Sequence, residues 1–253
     1  GGDTDFAIQT VGVRLDAPIS VYWRSRILLA ESIDEQDTRD EFGDSTFDTK
    51  TRSARWENQI SIGRHEYILG GELLMDEVDS TTDFDETSRT NAAVFGQALL
   101  NFGPTDFQLS LRADDNEAFG REETGAIAMG VDMDRNHRVR VSYSTSFRAP
   151  TFNDLYFPNF GNADLQPETA GSVELGIGGN YARWFWDAAI YQTDADDLIV
   201  FVFRDGRFAP FNVNEARIRG VELSAGLELD EWTVQAGASV TDPVNRETDN
   251  RIR

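Results

Sequence analysis

RVRVSYSTSF, residues Arg138 to Phe147, places Val139, Val141, Tyr143 and Phe147 on one side of an extended chain. Arg138, Arg140, Ser142, Ser144 and Ser146 fall on the other. Side chains of a strand alternate with a period of two, so this segment has one apolar face and one face suited to water. The same parity recurs at Phe107, Leu109 and Leu111, and at Ile127, Met129, Val131 and Met133. It returns at Val173, Leu175 and Ile177, at Val221, Leu223, Ala225 and Leu227, and at Trp232, Val234, Ala236, Ala238 and Val240. Roughly twelve strands are expected along the chain, with almost no helical periodicity.

Alternation by itself fits two all-β architectures. A soluble sandwich turns its apolar face inward, and a membrane barrel turns it outward. Connection lengths favour the barrel, because outer-membrane barrels join strands by short turns on one side and longer loops on the other. Tight turns are expected near Asp16 to Pro18, Gly63 to Glu66, Gly103 to Thr105, Asp134 to His137, Asn180 to Arg183 and Asp230 to Glu231. Long polar connections are expected at Asp34 to Asp48, Glu77 to Arg89, Asp114 to Glu123, Arg148 to Glu168, Thr193 to Asn214 and from Asp242 onward. Tyr67, Tyr181, Trp184, Trp186 and Trp232 lie beside the short turns, where an interfacial aromatic girdle would sit. No run approaches the roughly 18 apolar residues of a membrane helix. A soluble β-rich binding or adhesion module is the alternative architecture.

The chain carries 45 acidic and 23 basic residues, a net charge of −22. That balance argues against nucleic-acid binding, since phosphate would be repelled. The absence of cysteine excludes disulfides and thiolate metal sites. The only histidines, His65 and His137, fall in expected short turns away from any nucleophile motif, so catalysis is not expected. Arg138, Arg140, Arg217 and Arg219 are expected on the inward face, paired with carboxylates of neighbouring strands. The ends of the chain, a strand directly after Gly2 and a fresh strand starting at Arg251, suggest an internal segment of a larger barrel.

The stretch SFRAPTFNDLYFPNFGNADLQPETAGSVELG, Ser146 to Gly176, resembles a signature of TonB-dependent outer-membrane receptors through SFRAP, LY, GN, LQPE and VELG. There it joins two barrel strands over a long extracellular loop. Its chemistry is intelligible: Pro150 removes a ladder donor, Gly161 and Asn162 are expected to form a left-handed turn, and Pro167 fixes the approach to the next strand. ADDNEAFGREETG (Ala113 to Gly125), DADDLIVF (Asp194 to Phe201) and NVNEARIRGVEL (Asn212 to Leu223) are similar to the cobalamin-transporting branch of that family. The resemblance is closest from about Thr90 to Asp230, and before that it lies more in strand and loop spacing.

The resemblance implies an antiparallel up-and-down transmembrane β-barrel in the outer membrane of a Gram-negative bacterium, in contact with its lipid. It implies active uptake of cobalamin or a related corrinoid, with TonB acting through a plug domain that is not in this sequence. The motifs are shared with siderophore receptors, so another cargo is the alternative. Flat side chains can cover a corrin ring, which makes Phe152, Asn153, Tyr156, Phe157, Asn159 and Phe160 the candidate ligand contacts. The cobalamin branch orders its outer loops with calcium held by aspartates. Asp34 and Asp44 lie nearest the expected ligands, with Asp37 and Asp40 beside them, and oxygen donors on a loop suit that ion.

Overall fold

A computed structural model describes residues 3–40, 43–204 and 206–252, with the backbone alone at residue 40. Twelve strands form one sheet in strict sequence order: β1 (Asp3–Ser20), β2 (Trp23–Asp40), β3 (Gly43–Ile62), β4 (His65–Ser80), β5 (Ser88–Phe102), β6 (Thr105–Asn116), β7 (Gly120–Asp132), β8 (His137–Arg148), β9 (Glu168–Asn180), β10 (Trp184–Arg204), β11 (Arg207–Leu229) and β12 (Trp232–Asn245). Each pairs antiparallel with the next, and among the described residues β1 and β12 do not pair with each other. Among the described residues a single short helix, α1 (Phe152–Tyr156), interrupts the connection between β8 and β9.

Register places the apolar residues on one face, because residues directly opposite in an antiparallel pair point the same way. Leu15 faces Ile27, Ile27 faces Trp56, and Trp56 faces Gly71. Farther along, Val141 faces Leu175, Leu175 faces Ile190, Ile190 faces Val221 and Val221 faces Val240. This band is exposed: Trp56 retains 55% and Leu175 49% of its accessible surface. A sandwich would have buried it against a second sheet. The buried apolar residues, among them Val78, Ala93, Leu155 and Leu165, lie instead on the opposite face or in the connection above it. An exposed apolar belt with no partner sheet is the arrangement of a strand wall in lipid.

The polar face is laced by ion pairs between neighbouring strands. Arg26 bonds Asp16 and Glu57, Arg55 bonds Glu57 and Glu72, and Arg112 bonds Glu72 and Asp114. Arg140 forks onto Asp187, at 2.5 and 2.7 Å, and reaches Glu174 at 3.2 Å. Arg138 pairs with Asp106 and Asp132. Arg140 lies over Gly176, where a side chain would have to push its guanidinium away from Asp187. Arg217 and Arg219 correct the sequence expectation. Arg219 shares the parity of Val221, so both sit on the apolar face beyond its band, bonded to Asp194 and Gln192.

The short turns gather at one edge of the sheet, with Gly63 (φ 64°) and Gly103 (φ 78°) supplying left-handed positions. The first turn lies at Val21 and Tyr22 rather than Asp16 to Pro18, since β1 continues to Ser20 with a register shift after Pro18. Proline is tolerated there, near the end of a strand and at an irregularity. Trp184, Trp186, Trp232 and Tyr67 stand on the apolar face at this edge, and Tyr181 stacks on Trp184 at 4.0 Å. At the other edge, the segments Asp34 to Asp48 and Thr193 to Asn214 are mostly paired strand. They are the outer ends of long hairpins, paired as far as Asp40 with Gly43 and Arg204 with Arg207. Acidic composition had suggested loops, yet polarity does not stop a backbone from pairing.

At the turn between β7 and β8, Asp134 accepts hydrogen bonds from the backbone N–H groups of Asn136 (2.8 Å) and His137 (2.9 Å), and contacts the His137 imidazole. These donors, the Asn136 N–H foremost, lower its pKa from 3.8 to about 2. A carboxylate depressed on folding stabilises the fold above its unfolded pKa, and that contribution disappears as pH falls through the folded value. Asp134→Ala is therefore expected to be less stable than the parent at pH 6. The gap should close between about pH 4 and 2 in urea unfolding of micelle-bound protein. A gap that persists unchanged at pH 2 would contradict this.

Candidate functional site

The connection 149–167 arches from the end of β8 to the start of β9 at the hairpin-tip edge of the sheet. Pro150, fully buried, follows the end of β8. Thr151 then caps α1 reciprocally: its Oγ1 accepts from the Asp154 N–H at 3.1 Å, while its own N–H donates to Asp154 Oδ2 at 2.9 Å. This capping box satisfies two N–H groups that a helix of one turn would otherwise leave bare. Phe152 and Leu155 point into the protein and are buried.

The turn that follows differs from expectation. Asn159 takes the left-handed conformation, at φ 67°, whereas Gly161 and Asn162 do not. Gly161 is required for proximity: a Cβ there would lie 2.6 Å from the Leu155 carbonyl oxygen and 2.7 Å from the Phe157 nitrogen. Asn162 is 8% exposed, and its side chain donates to the Pro210 carbonyl at 3.0 Å. Leu165, at 1%, seals the descending limb.

Two flanks hold this arch. On one side, Arg89 of β5 donates to the Pro150 carbonyl at 2.7 Å, pairs with Asp76 at 3.2 Å and lies 4.8 Å from the Phe152 ring centroid. On the other, Asn212 of β11 accepts from the Gln166 N–H and donates to the Gln166 carbonyl, both at 2.9 Å. It also donates to the Asp197 carbonyl at 2.7 Å, within the bulge of β10, where Asp197 has φ 57°. Glu168 closes the base by bonding Arg148 and the Ile199 N–H.

The arch gathers aromatic rings from distant segments. Phe47 of β3 packs on Phe84, Phe84 meets Phe157 edge-on at 5.9 Å, and Phe157 contacts Phe160. A cleft of about 280 Å³ opens beside them, bounded by Phe47, Thr49, Thr51, Asp76, Arg89, Phe152 and Asn153. Of the six candidate contacts, Asn153, Phe157, Asn159 and Phe160 are exposed. Phe152 is buried and Tyr156 half-buried, its phenol pKa pushed up by burial and by Glu86. Arg89, Phe47, Phe84 and Asn212 are not among the sequence candidates, and the T-x-x-D spacing from Thr151 to Asp154 is a local signal that the sequence also carries for the helix cap.

The three candidate aspartates with described side chains, Asp34, Asp37 and Asp44, do not converge. Asp34 and Asp37 lie on opposite faces of β2, and Asp44 stands across from Arg39. The Asp40 side chain lies outside the described residues. Among the described residues, no three carboxylates or histidines come together in a group fit to hold a metal ion. His65 accepts from the Asn101 N–H, and His137 bonds Asp134 and the Tyr181 hydroxyl, each as the first residue of a strand beside a short turn.

Residues 2–252 match the family described as TonB dependent receptor-like, beta-barrel. The chain is 33% identical over 210 residues to the vitamin B12 transporter BtuB of Photobacterium profundum, covering 80% of this chain and 35% of that protein. It is 31% identical over 173 residues to the protein of the same name from Vibrio vulnificus, covering 68% and 28%. The chain thus spans about a third of the length of these curated relatives. Among solved structures it superimposes on the copper transporter OprC with a TM-score of 0.84 at 16% identity, over all of this chain and 49% of that one. The siderophore receptor PirA from Acinetobacter baumannii gives 0.82 at 14%, over 98% and 46%. Identities this low establish the shared fold.

Proposed function

The chain belongs to the TonB-dependent receptor β-barrel family of the Gram-negative outer membrane, and from that membership we propose that it forms wall and outer mouth of a transporter for cobalamin or a related corrinoid. TonB would supply the energy through a plug domain in the lumen. The family consists of transporters and receptors rather than enzymes.

The observation that carries this reading is the arch, which presents Phe157 and Phe160 with Asn153 and Asn159 at the mouth. Flat rings beside amide groups suit a large, flat ligand fringed with amides. Phe152 and Tyr156 support the arch from beneath. Among the described residues the acidic side chains of the β2–β3 hairpin do not assemble a cage, so calcium there would need donors from elsewhere in the protein. The relatives named for vitamin B12 support the same cargo.

The test is titration of the full-length protein in detergent with cyanocobalamin, first with calcium and then with chelator. Saturable binding is the expected result. Dependence on calcium would bring the β2–β3 aspartates into the site together with donors elsewhere in the protein. A protein that binds no corrinoid under either condition would remain a receptor of this family with another cargo, such as a ferric siderophore.

A further inference from the structure

The geometry points to Arg89 and Asn212 as a pair of positioning residues that hold the mouth arch in its binding shape from opposite flanks, each controlling one limb. This rests on the reading of the arch as cargo-contacting, but the anchoring itself is testable without cargo. The two residues come from different parts of the chain, 61 positions before Pro150 and 46 after Gln166.

Arg89 is suited to the ascending limb. It is half-buried, held in place by Asp76, and its guanidinium meets the arch twice, by a charge-assisted hydrogen bond to the Pro150 carbonyl and by contact with the Phe152 ring. A lysine would offer a point charge in place of that planar contact. Asn212 is suited to the descending limb. Its amide pairs with both backbone groups of Gln166 as a neighbouring strand would, and it ties that limb to the β10 bulge. Between these anchors stand the exposed Asn153, Phe157, Asn159 and Phe160. Ligand affinity scales with the fraction of molecules whose site is already formed, so a loosened arch binds more weakly even with every contacting side chain intact.

The experiment is hydrogen–deuterium exchange on the full-length protein in detergent, comparing the parent with Arg89→Ala and Asn212→Ala, alongside cyanocobalamin titration. Arg89→Ala should speed exchange at residues 151–157, and at Gly161 and Asn162 whose amides bond that limb, and leave 164–166 as in the parent, whereas Asn212→Ala should speed 164–166 and leave 151–157 unchanged. Each should weaken cobalamin binding about tenfold or more while the strands keep parental protection. Unchanged exchange in the arch, or equal loosening of both limbs by either substitution, would overturn the assignment. General destabilisation is separable, because it would raise exchange in the strands as well. If the parent binds no corrinoid, the cargo reading fails while the limb-specific exchange pattern still decides the anchoring.

Discussion

Leu175→Arg is expected to destabilise the folded protein in phospholipid bilayers by about 2–4 kcal/mol, the cost of a cation near the midplane on the lipid side of a β-barrel. Leu175 stands between Val141 and Ile190 in the centre of the apolar band and is half exposed. Its surroundings offer no carboxylate, so the guanidinium must reach for the headgroups or pull water inward. Ser142→Arg places the same charge on the neighbouring strand but on the polar face, directly opposite Glu174. That substitution should cost less than about 1 kcal/mol, since an arginine there meets a carboxylate and a wetted surface. Denaturant unfolding from vesicles, followed by tryptophan fluorescence, measures both. If the two substitutions cost the same, or if Ser142→Arg were the worse, the face assignment would be wrong and a water-facing sheet would have to be reconsidered.

The contrast between Leu175 and Ser142 was legible in the sequence, because a period of two is a local property and every strand repeats it. The edge carrying the short turns was legible for the same reason, with the Gly63 and Gly103 turns standing between opposed apolar runs. Failures came where local chemistry was ambiguous. Asp16 to Pro18 has turn-forming residues, but the backbone continues in register with β2 almost to Ser20. The acidic stretch from Asp34 to Asp48 looks solvated, and it is, yet its backbone pairs throughout the described hairpin. Once it forms strands, Asp34 and Asp37 are forced to opposite faces. Arg217 and Arg219 were placed inward because they are charged, whereas parity with Val221 puts them beyond the band on the apolar face. The mouth was least legible. Nothing in the spacing of residues near Pro150 indicates that Arg89 will reach it, or that Asn212 will pair with Gln166, because those contacts depend on how the sheet curves distant strands together.

Gly161→Ala should abolish most cargo binding while leaving the barrel folded. The added methyl would sit 2.6 Å from the Leu155 carbonyl oxygen and 2.7 Å from the Phe157 nitrogen. Both are backbone atoms, so no side-chain rotation relieves the overlap. Gly161 also donates its N–H to the Phe157 carbonyl at 2.7 Å, and Asn162 donates its backbone N–H to the Asp154 carbonyl at 2.8 Å. Relief therefore requires this turn to open, which shifts Phe157 and Phe160 together and pulls on the buried Asn162. Overpacking of this kind costs about 1–3 kcal/mol, enough to displace the arch in most molecules and weaken cargo binding by about tenfold to a hundredfold. Gly206→Ala is the informative companion. Gly206 has φ 82° at the tip of the β10–β11 hairpin, so alanine is strained there, but its Cβ would meet nothing within 4 Å. It should lose some local stability and bind the cargo like the parent. Weakened binding in Gly161→Ala alone would tie affinity to the packed turn, since Gly206→Ala alters a glycine at the same edge without any overlap. Parental affinity in Gly161→Ala would instead mean that Phe157 and Phe160 do not contact the cargo, and the aromatic face of the arch would lose its role.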